Sequence, residues 1–95
     1  MYLLDTELEL NWTLYAEVAH PTLEDLSVKQ HRPDQLTPVS DVIEPGNYIP
    51  PTIDTIGYVT YKFTPTEVGL WVVTLYVADV RVGSHKILVL SLIHI

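Results

Sequence analysis

Four histidines and twelve carboxylates are the side chains of this 95-residue chain that could hold a metal or move a proton. A zinc site draws three or four ligands from close spacings along the chain. His20 and Glu24 lie four apart, but Pro21 between them works against the helical turn that would bring them together. His31, His85 and His94 have no neighbour at ligand spacing. Ser84-His85 sets a hydroxyl beside an imidazole, yet successive strand residues point to opposite faces, so the pair is not a catalytic dyad. The chain has no cysteine, no Gly-Xaa-Ser-Xaa-Gly elbow and no glycine-rich phosphate loop. The expectation is therefore a non-enzymatic chain with no catalytic residue, no metal, no cofactor and no small-molecule substrate.

The elements that would have to position any site are strands. From Glu7 to Val18 the pattern alternates strictly, with Leu8, Leu10, Trp12, Leu14, Ala16 and Val18 on one face. A period of two predicts a half-buried strand, with a bend because twelve residues is long for one. Asn11-Trp12-Thr13 matches a glycosylation sequon but reads more simply as strand, Asn11 to solvent and Trp12 to the core. His20-Pro21 ends the run, and a shorter strand is expected near 26–30 with Leu26 and Val28 inward. Between 57 and 63, Val59, Tyr61 and Phe63 share a face; from Leu70 to Val77 both faces carry large apolar groups. A strand greasy on both sides is either central or covered from outside its own domain. Ala78 to Gly83 is expected to turn the chain, with Asp79 as the turn residue, and a last apolar strand runs from Lys86 to Ile95. Trp12 and Trp71 are expected as opposed anchors of one core.

Residues 31–53 differ in kind. Five prolines fall in this stretch, and Pro45-Gly46-Asn47 marks a tight turn. It reads as a long Pro-rich loop with one brief strand around 39–43, and long loops often carry contacts.

Length allows one domain, residues 1–95. The formal net charge is −7, and ten of the twelve acidic residues lie within the first 54. Such a surface repels phosphate backbones, so no nucleic acid is expected as partner. No basic, apolar leader opens the sequence, and no run reaches the roughly 20 apolar residues of a membrane helix, so no membrane partner is expected either.

Phe63-Thr64-Pro65-Thr66-Glu67-Val68-Gly69-Leu70-Trp71-Val72-Val73 resembles the penultimate-strand motif of immunoglobulin-like modules. There an aromatic strand end is followed by a Pro-Thr-Glu turn, a glycine and an aromatic on the next strand. With the Pro33-Asp34 turn, the motif is similar to that of small immunoglobulin-like structural proteins of tailed bacteriophages. Filamin-type repeats are the runner-up on Tyr76-Val77-Ala78-Asp79 through Val82-Gly83-Ser84, although His85-Lys86 stands where those repeats have Pro-Phe.

The resemblance implies an all-β, immunoglobulin-like β-sandwich of about seven antiparallel strands. It also implies a virion component, made in the host cytoplasm, that decorates a capsid or joins a head–tail or tail assembly. Its partners would be other copies of itself or other virion proteins. The alternative is an immunoglobulin-like or filamin-like binding module that recognises a peptide or glycan by its sheet edge. An apolar strand end needs cover, so the expected interface is Tyr48 and Ile49 with Leu90, Leu92, Ile93 and Ile95.

Overall fold

The computed structural model of the chain describes residues 2–15, 22–33, 36–52 and 54–90. The strands are β1 (Tyr2–Leu3), β2 (Leu8–Leu14), β3 (Leu26–His31), β4 (Val39–Asp41), β5 (Tyr48–Ile49), β6 (Gly57–Phe63), β7 (Gly69–Val77) and β8 (Val80–Leu90). They form two sheets, one ordered β1-β8-β7-β3-β4 and the other β2-β6-β5. Every pairing is antiparallel except that of β1 with β8.

This connectivity is that of an immunoglobulin-like sandwich. In such folds the second, fifth and fourth strands (B, E and D) make one layer, and the last, sixth and third (G, F and C) the other. Here β2-β6-β5 and β8-β7-β3 take those places, and β4 adds the extra strand of the variable-type sheet. The short β1 lies beside β8 rather than beside β2.

Alternation builds the core, as expected. On β2, Leu10, Trp12 and Leu14 are buried while Glu9, Asn11 and Thr13 are exposed. Opposite them lie Val59, Tyr61 and Phe63 of β6; Leu26 and Val28 of β3, Trp71, Val73 and Leu75 of β7, and Ile87 and Val89 of β8 complete the filling. The two tryptophans anchor different parts of that core. Trp12 donates its indole N–H to the Gly83 carbonyl at 3.1 Å, and its ring meets His85 edge-on at 4.9 Å. Trp71 donates to the Glu67 carbonyl at 2.9 Å and meets Phe63 at 5.0 Å. Each indole thus buries its surface and still satisfies its one donor.

The Phe63–Trp71 connection depends on Gly69. Its φ is +130°, and a Cβ there would lie 2.7 Å from Pro33. The position therefore combines a backbone region closed to L side chains with a close approach.

Three expectations are corrected. The turn between β7 and β8 is Ala78-Asp79 alone, with φ of +48° and +65°, the two positive values of a type I′ hairpin. Val80 to Gly83 already belongs to β8. The register there slips between Leu75↔Gly83 and Tyr76↔Arg81, so Val82 is the extra residue of a bulge. That bulge and Gly83 broke the alternation and made the stretch read as turn.

The stretch 31–53 is less irregular than its prolines suggest. His31 completes β3, and β4, a 3-10 turn at Pro45–Asn47 and β5 follow. The first long strand covers Leu8–Leu14, and Tyr15 lies outside it. Residues 16–18, expected to continue it, lie outside the described residues.

Candidate interaction surfaces

The expected interface falls on two sheets. Ile49 pairs with Tyr58 across β5 and β6, and Thr13 pairs with Tyr58 from β2. Ile49 and Tyr58 are both exposed on the outer face of the three-stranded sheet. Tyr48 pairs with Val59 and packs against the core instead. Burial and the nearby Asp25 carboxylate both raise its phenol pKa.

Leu90 belongs to the other sheet. It pairs with Leu3, and its carbonyl accepts the Leu4 N–H at 3.0 Å. It also sits at the Phe63–Gly69 end, whereas Ile49 sits at the Gly57–Val77 end, as the registers require. Leu92, Ile93 and Ile95 lie outside the described residues. The chain therefore does not bring Tyr48 and Ile49 together with Leu90.

A more compact apolar surface lies on the outer face of the five-stranded sheet. Leu70 and Leu88 are directly opposite each other on β7 and β8, and they are 50% and 51% exposed. Half-buried Val72 and Leu90 follow on the same face by the alternation of their strands. Further along the face becomes polar: Thr74 and Ser84 hydrogen-bond at 2.7 Å, and the Lys29 ammonium lies 4.7 Å from the Tyr76 ring centroid. The doubly apolar pattern of β7 fits the first of the two readings, a central strand. The strand is central, between β8 and β3, and part of its outer face is still open to solvent. Leu88 was hidden in the sequence by its neighbours, because Ile87 and Val89 are equally apolar but point inward.

Ser84 and His85 do part to opposite faces. The serine hydroxyl meets Thr74, while His85 Nε2 lies 2.8 Å from the Asn11 carbonyl oxygen beneath the sheet. Among the described residues no group of three or more His, Asp or Glu side chains is placed to hold a metal ion. No helix among them is long and apolar enough to cross a membrane.

A cleft of about 210 Å³ opens where β4 leaves one sheet and the chain crosses to the other. Asp41, Glu44, Asn47, Thr60, Tyr61 and Lys62 are among the residues that line it. The Tyr61 hydroxyl donates to Asp41 Oδ2 and accepts from Gln30 Nε2, each at 2.5 Å. A β6 side chain is thereby tied to β3 and β4 of the opposite layer. Burial first, then the Asp41 carboxylate, push the phenol pKa well above its ordinary value of 10.

Comparison with models of protein families, with curated proteins and with solved structures found no match for this chain.

Proposed function

We propose that the chain is a non-enzymatic structural protein that works through contacts with other protein chains, as a component of a tailed-phage virion. The contact role is supported above all by the exposed Leu70–Leu88 pair, which leaves two large aliphatic side chains side by side on the outer face of a sheet. Contiguous apolar surface of this kind is where protein partners dock. The virion setting, on a capsid or in a head–tail or tail assembly, is supported by the resemblance carried by Phe63 to Val73. Repetition of a small contact around a symmetric particle would multiply weak binding into firm attachment.

Mass spectrometry of density-purified particles tests the setting, with the chain expected at many copies per particle. A Leu70→Ser/Leu88→Ser chain, folded by its circular dichroism, is expected to be left out of them. Its incorporation at the wild-type level, or absence of the wild-type chain from particles, refutes the proposal. A second reading, a binding module for a glycan or peptide, is favoured by the hydrogen-bonding lining of the Asp41–Lys62 cleft. Glycan-array binding that Glu44→Ala and Asn47→Ala abolish would select it.

A further inference from the structure

We infer that this chain associates with copies of itself head to tail, the free edge of β8 on one molecule receiving the free edge of β4 on the next. The larger sheet then runs on from molecule to molecule. The inference goes beyond the Leu70–Leu88 contact reading by naming a second surface and its partner, and it does not depend on the phage setting.

Strand order is the first support. β8 and β4 bound the antiparallel part of one sheet, and β1 covers β8 only at Val89 and Leu90. Among the described residues no strand lies beside the outer side of β8 from Val80 to Leu88, nor beside the outer side of β4. Such edges present unpaired backbone donors and acceptors that template further strands.

Strand direction is the second. β8 is antiparallel to β7, β7 to β3 and β3 to β4, so β8 and β4 run in opposite senses. A copy displaced along the sheet without reversal therefore offers β4 antiparallel to β8, the more stable way for two strands to pair. The alternation inside one molecule simply continues into the next.

Charge decides between this joint and its rivals. Residues 80–90 contain Arg81 and Lys86 and no carboxylate, while residues 33–61 contain no lysine or arginine. Asp41 ends β4 and Glu44 follows it. Lys62 on β6 also lines the cleft with these two and offsets one of them, which leaves the β4 edge opposite in sign to β8. Pairing β8 with β8 would set Arg81 and Lys86 against their own copies, and pairing β4 with β4 would oppose carboxylates. Only the mixed joint puts unlike charges together, the arrangement that fixes register and rejects the wrong partner. Both edges also carry exposed valines: Val39 and Val42 at one, Val80 and Val82 at the other. The two surfaces differ, so the contact is heterologous and builds a ring or an open filament.

Sedimentation velocity over a concentration series tests this. The wild-type chain is expected to show species beyond the dimer at low salt. Association should weaken roughly tenfold or more from about 0.05 M to about 0.5 M salt, because the joint is charged and exposed. Arg81→Glu/Lys86→Glu blocks one edge and Val42→Lys/Glu44→Lys the other; a cooperative melt confirms that each variant is folded. Each alone should be monomeric, since it retains one good edge and no complement for it. Mixing the two should restore association beyond the dimer, with the variants alternating, because each edge of one then meets an edge of opposite sign on the other. A wild-type chain that stays monomeric at low salt overturns the inference. So does either variant that self-associates like the wild type, which would place the contact elsewhere. Absence from phage particles would refute only the virion setting.

Discussion

Removing one oxygen should both weaken this fold and change how it responds to alkali. The Tyr61 hydroxyl is the atom that joins β6 to Gln30 of β3 and Asp41 of β4, with both bonds at 2.5 Å. Tyr61→Phe keeps the ring, which is 7% exposed, and deletes only that bridge. A neutral hydrogen bond contributes about 1 kcal/mol and one to a charged group about 1.5–3 kcal/mol. Asp41 is exposed and Gln30 half-buried, so water takes over part of both roles in the variant. The expected loss is about 2 kcal/mol at pH 7. For a chain of this length that corresponds to a fall in Tm of about 10 °C.

The pH response has a definite sign. The folded-state phenol pKa lies above the unfolded value, so the folded state holds its proton more tightly. The stabilisation is fully present below pH 10 and is lost as pH rises from there toward the folded-state value. Thermal melts between pH 7 and 11 should show the wild-type chain declining above pH 10 and Tyr61→Phe declining less steeply. Tyr48, whose pKa is also raised, leaves a residual slope in the variant. Equal Tm values at pH 7 together with identical alkaline slopes would refute the bridge as described.

Four further substitutions probe the backbone and the core. A Cβ at Gly57 would stand 2.5 Å from the Ile49 carbonyl oxygen and 2.5 Å from the Pro51 nitrogen, so Gly57→Ala should cost about 2–4 kcal/mol in urea unfolding. Gly46→Ala has nothing within 4 Å of the new methyl and should leave stability unchanged or raise it by about 0.5 kcal/mol. Ala78 occupies a left-handed position of the hairpin, so Ala78→Asn should stabilise by about 0.5–1 kcal/mol in the same assay. Trp71→Ala removes a side chain that is 1% exposed and its bond to Glu67, and should cost about 3–5 kcal/mol by chemical denaturation.

What the sequence disclosed and what it withheld follow one physical division. Alternation is a local property, so the inward faces of β2, β3 and β6 could be read directly, residue by residue, whereas β7 is apolar on both faces and its inward side follows only from the fold. The neighbour of a strand is not local. Tyr48-Ile49 is too short to be a strand by itself and precedes Pro50-Pro51; it becomes β5 only because β6 supplies the ladder. β1 likewise exists through two residues of β8 nearly ninety positions away. Ile49 and Leu90 look equivalent as exposed apolar residues until their strands are assigned to different sheets.

The charge pattern shows the same division with more consequence. That residues 80–90 lack acids and residues 33–61 lack bases is visible in the sequence, but it reads there as nothing more than uneven composition. Topology turns it into a polarity, because β8 and β4, far apart along the chain, bound the antiparallel part of one sheet. Oppositely charged margins disfavour association between like edges and favour association between unlike ones. Edge protection in this chain is therefore selective: the cations that keep β8 from pairing with another β8 are the same groups that suit it to β4.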